Sequence, residues 1–364
     1  MRVAFRADAS VQIGSGHVMR CLSLADALRA RGAEAYFVGR ALPGHLGALI
    51  RERGYDLALL PAPAPPAPSV EEEGDEAPAH AQWLGVPWPQ DAAQTAQALQ
   101  AAGDFDWLVV DHYAVDARWE NSLRRTGRST LVIDDLADRP HDCDLLLDVN
   151  LQEPEGRYAG LVPAWCRQLL GPAYALLRPQ FAAARPAPAR RDGRVARLLI
   201  FFGGSDHDNL TGRALTALGR LGRDDLAVDV VLGASNPRRS ELEALCASLK
   251  SVTCHFNVAD MAALMAAADL AIGAAGVTTW ERACLGLPAL VVTIAANQRP
   301  TAACAARRGI LTWLGDASEV TAATLAEAVR PALAAPATLL AQSRRGMDVV
   351  DGGGTARVAA AMSR

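Results

Sequence analysis

A histidine follows a glycine turn near the amino terminus of the sequence. Residues 6–20 read RADASVQIGSGHVMR, passing from a predicted strand end through Gly14 and Gly16 into a helix predicted to begin near His17. The positive end of a helix disfavours imidazolium, and a neutral ring at that position can accept a proton. We therefore regard His17 as a candidate general base, the alternative being a histidine that only packs or caps the helix.

A second turn of small residues lies in the carboxy-terminal half, after the apolar run of residues 270–273. Small side chains let a phosphate approach the backbone, and Thr278 or Thr279 can add a hydroxyl hydrogen bond. Glu281, in the first turns of the predicted helix, can accept hydrogen bonds from two vicinal ribose hydroxyls. The pattern indicates a diphosphate site with a ribose contact. A carboxylate that only favours the helix N-terminus is the alternative for Glu281.

Two more predicted strand ends carry groups that suit the same ligand. Residues 201–206 read FFGGSD, a third glycine turn, although such a turn can also serve only as a strand-to-helix connection. Asn297 and Gln298 follow the run 289–296, and their amides can hold sugar or phosphate oxygens. We include both segments in the predicted substrate site.

Acidic residues follow two predicted strands in the first half, in Asp111-His112-Tyr113 and Asp134-Asp135. Polar side chains at the carboxyl ends of parallel strands line the ligand cleft. Three DxD triplets, at 104–106, 142–144 and 206–208, match the short pattern of metal-dependent sugar-nucleotide enzymes. Because roughly one residue in ten is acidic, such triplets arise by chance. We predict no metal site and no cofactor.

Short β-rich runs alternate with Ala-, Leu- and Arg-rich helical stretches, the pattern of parallel sheets with helices on both faces. Strands are predicted at 3–6, 35–38, 57–60, 107–111 and 129–134, and again at 196–202, 228–232, 252–256, 270–273 and 289–294. The sequence therefore predicts an α/β protein with two doubly wound, Rossmann-like domains.

The domain boundary is predicted within residues 181–195, FAAARPAPARRDGRV, because this stretch has no usable periodicity. The amino-terminal domain then covers 1–180 and the carboxy-terminal domain 196–364. A second low-complexity stretch, 61–78, mixes Pro and Ala with an acidic run and is interpreted as a mobile surface insertion without function.

The composition is 51% hydrophobic and 21% charged, with a formal net charge of -4 over 364 residues. These values are typical of a soluble globular protein and argue against a nucleic-acid partner. Charges break the amino-terminal apolar run after a few residues, so neither a signal peptide nor a membrane span is expected. The seven cysteines show no CxxC spacing, and we interpret them as reduced, buried residues of a cytoplasmic protein.

With these residues in place, the sequence resembles the UDP-2,4-diacetamido-2,4,6-trideoxy-β-L-altropyranose hydrolases of pseudaminic acid biosynthesis, within the sugar-nucleotide hydrolases of the GT-B fold. The matching motifs extend in order over nearly the whole sequence: RADASVQIGSGHVMRC (Arg6–Cys21), VVDHY (Val109–Tyr113), IDDLADR (Ile133–Arg139), CDLLLDVN (Cys143–Asn150), GPAYALLRP (Gly171–Pro179), FGGSD (Phe202–Asp206), TTWERACLGLP (Thr278–Pro288) and ANQ (Ala296–Gln298). An ordered set of this kind is far more specific than any one motif.

The resemblance implies that the two domains face a cleft, that His17 activates water there, and that Tyr113 and Asn297 contribute to catalysis. It also implies that the carboxy-terminal domain holds UDP. The residues predicted to contact a UDP-sugar are Arg6, Asp8, Gly14, Gly16, Arg20, Gly203, Gly204, Ser205, Ala275, Gly276, Val277, Thr278, Thr279, Glu281 and Gln298.

One departure concerns the phosphate turn, where the family's Gly-Gly-Ser-Thr reads Ala275-Gly276-Val277-Thr278 and one hydroxyl is lost. Phosphate binding then depends on backbone amides and the remaining threonines. The expected reaction is attack of water on the anomeric carbon, which gives UDP and the free sugar.

Three other functions fit parts of the pattern. A GT-B glycosyltransferase uses the same donor site, but an acceptor attacks in place of water. A hydrolysing 2-epimerase needs carboxylates that act at C2 of the sugar. A non-catalytic UDP-sugar binding protein has no use for a proton-transfer histidine.

Overall fold

The computed structural model describes residues 1–63, 77–151, 156–186, 192–223, 225–233, 235–256 and 258–363. The chain divides into two compact units, one formed by Met1–Leu176 with Gly354–Arg364 and the other by Leu177–Gly353. Most of the predicted insertion 61–78, and residues 187–191 of the predicted linker, lie outside the described residues.

The first unit contains a seven-stranded parallel sheet with the order β3-β2-β1-β4-β5-β6-β7. Its strands are β1 (Arg2–Ala7), β2 (Glu34–Arg40), β3 (Asp56–Leu60), β4 (Trp107–Asp111), β5 (Ser129–Ile133), β6 (Leu145–Asp148) and β7 (Arg167–Leu170). The five strands predicted in this half are confirmed, whereas β6 and β7 were not predicted. The central strands β1 and β4 are almost entirely buried, as expected when helices cover both faces of a parallel sheet.

The second unit contains a six-stranded parallel sheet with the order β10-β9-β8-β11-β12-β13. Its strands are β8 (Arg197–Phe201), β9 (Ala227–Leu232), β10 (Val252–Phe256), β11 (Leu270–Ala274), β12 (Ala289–Thr293) and β13 (Thr312–Asp316). Five of the six match predicted strands. The hydrophobic core of this unit lies between the sheet and its helices, with Leu198, Ile200 and Leu215 fully buried.

Helices cover both sheets. Those of the first unit are α1 (Gly16–Arg29), α2 (Gly47–Glu52), α3 (Trp88–Ala102), α4 (Ala117–Ser122) and α13 (Gly354–Ala361). Those of the second unit are α5 (Pro179–Ala183), α6 (Leu210–Leu221), α7 (Arg239–Ser248), α8 (Met261–Ala267), α9 (Thr278–Cys284), α10 (Arg299–Arg307), α11 (Ala322–Leu333) and α12 (Pro336–Val349). None of the helices among the described residues has the length and apolar character needed to cross a membrane.

The division into units differs from the predicted one at both ends of the second unit. The boundary lies at Leu176, ahead of the predicted linker, and α5 begins within the segment that follows. The carboxy-terminal helix α13 packs on α1 of the first unit, with Val358 fully buried. Gly354 allows α13 to begin close to the segment that ends at Ala175, because a Cβ there would lie 2.4 Å from the carbonyl oxygen of Ala175.

In each sheet the strand order reverses beside the first strand, between β1 and β4 and between β8 and β11. The connections that leave these neighbouring carboxyl ends diverge, and ligands of doubly wound domains bind in the crevice that results. In the first unit these connections carry His17 and Asp111. In the second unit they carry the turns at 203–205 and 275–277. The topology therefore places His17 and Asp111, and the turns at 203–205 and 275–277, at the switch points of their sheets.

Candidate functional site

His17 lies in the first turn of α1, after a loop that its own side chains stabilise. Ser10 Oγ accepts a hydrogen bond from the amide of Ile13 at 2.9 Å, and Gly14 supplies a backbone with φ of +79° that a larger residue rarely adopts. This loop brings His17 Nδ1 to 2.6 Å from Asp111 Oδ1 at the end of β4. The ring is 7% exposed.

The contact with Asp111 decides which nitrogen of His17 carries the proton. An ionised carboxylate only accepts hydrogen bonds, so Nδ1 donates and the lone pair of the neutral ring lies on Nε2. Burial opposes ionisation of Asp111, but Arg20 and His17 hold the pKa of this carboxyl well below its usual range. The pair therefore combines a permanent carboxylate with an imidazole whose Nε2 can accept a proton.

Arg20 is nearly buried and joins two carboxylates. Its Nε and Nη2 atoms each donate to Asp111 at 2.6 Å, and Nη1 donates to Asp135 at 3.0 Å. A bidentate arginine fixes the plane of the carboxylate as well as its charge. These hydrogen bonds let Arg20 position Asp111 beside His17, and its predicted contact with substrate stays a prediction.

Tyr113 packs edge-on against His17, with ring centroids 4.6 Å apart. Its hydroxyl donates a short hydrogen bond to Asp135. Burial, reinforced by Asp135, raises the pKa of Tyr113 well above its usual range, which favours the protonated phenol at neutral pH. Its contribution in this structure is to fix the position of the imidazole ring.

Arg6 and Asp8 form part of a buried ion-pair network at the end of β1. The Arg6 side chain is fully buried and donates to Asp91 at 2.7 Å, while Asp8 accepts from the Arg40 amide at 2.6 Å. Arg40 donates to the same Asp91 carboxylate at 2.6 Å. The polar atoms of Arg6 and Asp8 face protein in this structure, and the predicted contact of these two residues with substrate stays a prediction.

The residues of the two acidic clusters, at 111–113 and 134–135, have different surroundings: some contact His17 or Arg20, and others are bound in the protein interior. His112 Nδ1 accepts from the Ala114 amide at 3.0 Å, and its Nε2 lies 3.3 Å from Asp8. Asp134 accepts from the Tyr158 hydroxyl at 3.0 Å and lies 2.9 Å from Arg139 Nη1. Of these clusters, the structure brings Asp111, Tyr113 and Asp135 to His17 and its partner Arg20, whereas His112 and Asp134 support the fold.

In the second unit, the turn after β11 lies beside Gln298. A Cβ on Gly276 would be 3.9 Å from Gln298 Nε2, and Gln298 Oε1 accepts from the Ile294 amide at 3.0 Å. The amide group of Gln298 is thus oriented with a donor toward the turn. The turn and the ANQ segment, predicted separately, lie next to each other in the fold.

The two threonines of the phosphate turn differ in orientation. Thr279 is buried, and its hydroxyl oxygen accepts from Arg282 at 3.3 Å, so it turns toward the protein and not toward a ligand. Thr278 is half-buried, with its hydroxyl 3.5 Å from the Ala274 carbonyl. Because α9 has only seven residues, the phosphate prediction depends on the backbone of Ala275–Val277 more than on a helix dipole.

Glu281 lies next to Arg178, a residue to which the sequence motifs assigned no role. The distance from Arg178 Nη2 to Glu281 Oε1 is 3.8 Å, and both side chains are mostly buried. Burial raises the pKa of Glu281, while Arg178 and Arg282 oppose this effect. Arg178 occurs in the quoted GPAYALLRP motif, which was the available signal.

The turn after β8 has the close backbone approach expected of a glycine pair. Gly203 has φ of +93°, and a Cβ on Gly233 would lie 2.3 Å from Gly204 Cα. Ser205 completes this turn and is partly exposed. Its predicted contact with the ligand stays a prediction, as does that of Asn297, which lies in the single turn Ala296–Gln298.

The DxD carboxylates bind backbone amides. Asp106 accepts from the Arg2 amide at 2.7 Å and Asp144 from Thr130 at 2.7 Å, both at the amino end of the first sheet. Asp206 accepts from the amides of Leu210 and Thr211 and caps α6. Within the ranges that the structure describes, no group of three His, Cys, Asp or Glu side chains is arranged to hold a metal ion.

The sequence is similar to known proteins over both units. Residues 198–352 match the family described as the glycosyltransferase family 28 C-terminal domain. Over 310 residues, 85% of this chain and 97% of the relative, the sequence is 26% identical to the UDP-2,4-diacetamido-2,4,6-trideoxy-beta-L-altropyranose hydrolase of Campylobacter jejuni subsp. jejuni serotype O:2. The predicted resemblance is confirmed.

Solved structures show the same fold at lower identity. MurG of Acinetobacter baumannii aligns with a TM-score of 0.66 and 16% identity, covering 100% of this chain and 99% of that one. The Streptomyces sp. SF2575 glycosyltransferase SsfS6 aligns with a TM-score of 0.60 and 15% identity, covering 100% of both chains. The protein therefore has the GT-B fold, with two Rossmann-like units.

Proposed function

We propose that the protein is a hydrolase that cleaves a UDP-linked 2,4-diacetamido-2,4,6-trideoxyhexose to UDP and the free sugar. The observation that carries the proposal is the 2.6 Å contact between His17 Nδ1 and Asp111, which leaves Nε2 of His17 as a proton acceptor. Support for the substrate comes from the Campylobacter jejuni relative, which the chain matches over 97% of its length. The proposed reaction would belong to pseudaminic acid biosynthesis, the pathway that the sequence resemblance implies.

In the proposed reaction, His17 Nε2 takes a proton from a water molecule as its oxygen bonds to the anomeric carbon. The bond between that carbon and the diphosphate oxygen breaks, and its electron pair leaves with UDP. The imidazolium formed at His17 is stabilised by the Asp111 carboxylate and later releases its proton to solvent. The net change is addition of one water across the glycosyl–phosphate bond.

The second unit, in this proposal, binds the nucleotide. Backbone amides of Ala275–Val277 and the Gln298 side chain hydrogen-bond the diphosphate, where negative charge grows as the bond breaks. Glu281 accepts hydrogen bonds from the ribose hydroxyls, and Asn297 contributes a further amide. Fixed donors of this kind stabilise the leaving group without a metal ion.

A glycosyltransferase is the second candidate, because the match of residues 198–352 is to a glycosyltransferase family domain. The two activities share a donor and differ in the nucleophile. The Asp111–His17 pair can activate either water or a hydroxyl group of a sugar acceptor. A product assay is therefore needed to distinguish the two activities. A non-catalytic binding protein is disfavoured by the same pair, whose buried charges serve proton transfer.

The test is incubation with the UDP-linked diacetamido sugar in H₂¹⁸O, without any acceptor, followed by NMR and mass spectrometry. Hydrolysis by attack at the anomeric carbon predicts a free sugar and UDP that contains no ¹⁸O. His17→Asn should lower turnover about 10²–10⁴-fold, the usual contribution of a general base, and leave UDP affinity unchanged. His45→Asn, at an exposed histidine of the same unit, is the matched control. Turnover that requires an added acceptor would instead identify a transferase.

A further inference from the structure

A row of aromatic rings leads from His17 to a short 3₁₀ turn at Ala81–Leu84. The Tyr113 ring contacts His17 on one side, and on the other it contacts His80 at 5.4 Å and Trp83 at 5.8 Å between centroids. His80 and Trp83 also touch each other edge-on at 4.5 Å. Four rings therefore form one continuous cluster at the switch point of the first sheet.

Tyr113 itself offers little surface to a ligand, because its side chain is covered by its neighbours and only 6% of the residue is exposed. His80 and Trp83 are both partly exposed. The aromatic surface next to the proposed base therefore comes from the 3₁₀ turn and not from the tyrosine.

The turn that carries these two rings is fixed to the fold. The Trp83 amide donates to the His80 carbonyl at 2.8 Å, and Leu84 is 1% exposed in the core of the first unit. Gly85 ends the turn with φ of +71°, packed against Pro63. Rings held in this way lose little conformational entropy when a ligand packs on them.

We propose that His80 and Trp83 form the wall of the sugar subsite and select sugars whose substituents are apolar, namely a methyl at C6 and the methyls of acetamido groups. The inference rests on the proposed function, which supplies the sugar class. Ligand sites combine aromatic walls with a few polar groups, and this wall lies beside such groups at His17 and Asp111.

The chemistry of the two rings suits apolar groups more than hydroxyl groups. Burial lowers the pKa of His80, so its ring is neutral at pH 7 and does not attract water as a cation does. A hydroxyl packed on the face of either ring loses its hydrogen bonds to water, whereas a methyl group loses none. Discrimination of one methyl group in an apolar pocket is about 10–200-fold.

The experiment compares Trp83→Leu and His80→Leu with the wild type, using the UDP-linked diacetamido-trideoxy sugar and UDP-N-acetylglucosamine. We expect each change to raise KM for the former about 10-fold or more, with kcat and the inhibition constant of UDP within a factor of about two. The ratio of kcat/KM between the two substrates should fall. Trp83→Phe should restore most of it, because a flat apolar ring remains.

Trp165→Leu is the matched control, since Trp165 lies in the same unit and is 66% exposed. An unchanged KM and an unchanged ratio of kcat/KM between the two substrates in folded Trp83→Leu and His80→Leu would overturn the proposal that these rings form the sugar wall.

If the wild type hydrolyses neither compound, the proposed function fails, but calorimetry can still test whether His80 and Trp83 contact the sugar. A loss of affinity for the UDP-sugar but not for UDP then supports it, and equal affinities overturn it. If Trp83→Leu does not fold, the same kinetic constants are compared between the wild type, His80→Leu and Trp83→Phe.

Discussion

The carboxylate of Asp111 accepts from His17 Nδ1 at 2.6 Å and, through both of its oxygens, from Arg20. Asp111 therefore cannot rotate to serve as a base itself, and it orients the imidazole on one side while Tyr113 packs on another. The arrangement has the form of a carboxylate–imidazole pair in which the acid orients and the histidine moves the proton.

Asp111→Asn should lower kcat about 10²–10⁴-fold while leaving UDP affinity unchanged. The asparagine amide can donate to Nδ1 and so place the proton of His17 on Nε2, where it blocks proton uptake from water. Steady-state kinetics and calorimetry with UDP measure the two effects. Asp104→Asn, at an exposed carboxylate of the same unit, is the control. Normal turnover in folded Asp111→Asn would show that His17 needs no carboxylate partner.

Glu281→Gln should weaken UDP binding about 10-fold or more, because a hydrogen bond to a charged group contributes about 1.5–3 kcal/mol. The wild type should also prefer UDP to 2′-deoxy-UDP, and the variant should lose this preference. Since burial raises the pKa of Glu281, UDP affinity should weaken on acidification at a higher pH than an exposed glutamate would give. Glu319→Gln is an exposed control in the same unit. If the wild type and Glu281→Gln prefer UDP over 2′-deoxy-UDP to the same extent, the proposed contact between Glu281 and the ribose is wrong.

Activity should persist in EDTA, because one carboxylate of each DxD triplet, that of Asp106, Asp144 or Asp206, already accepts hydrogen bonds from backbone amides. Carboxylates used in this way are not free to gather around an ion. Turnover before and after chelation, and after addition of Mg²⁺ or Mn²⁺, provides the measurement. A requirement for added metal would mean that the DxD segments rearrange around substrate.

Ten of the strands were predictable because each is a short apolar run bounded by polar or turn residues. The others carry weak signals. β6 and β7 have only four residues each, β7 is partly exposed, and β13 contains Gly315 and begins with an exposed threonine. The sequence of α13 also does not reveal that this helix packs on α1. The apolar residues of a helix show which face is buried, but not which part of the protein covers that face.

The positions of His17, Asp111, Tyr113 and the turn at 275–278 could be predicted, because strand ends and glycine turns identify them in the sequence. The orientation of each side chain could not be predicted. Arg6 pairs with Asp91, 85 residues away, and no local pattern links the two. The different contacts of Asp134 and Asp135 likewise become visible only in the folded structure, where α1 lies beside the end of β5. Adjacent residues at a strand end face opposite sides of the sheet.

A final prediction concerns pH and the stability of the first unit, through His141. Its Nδ1 atom lies 2.7 Å from Glu120 Oε1 and its Nε2 atom 3.8 Å from Asp134, with all three side chains fully buried. Burial alone would lower the pKa of His141, but Glu120 and Asp134 raise it to about 9. The folded protein thus holds this proton more tightly than the unfolded chain, whose histidines titrate near pH ~6.5.

The sign follows from linkage between protonation and folding. A raised pKa contributes stability that is fully present below pH ~6.5 and is lost as pH rises through about 9, up to about 3 kcal/mol for a shift of this size. Urea denaturation of the wild type and His141→Gln at pH 6, 7, 8 and 9.5 measures it as the difference in free energy of unfolding. That difference should be largest at pH 6 and shrink toward pH 9.5, and His45→Gln, at an exposed histidine of the same unit, is the control. A difference that stays constant across this range would mean that His141 is neutral in the folded protein and contributes by packing alone.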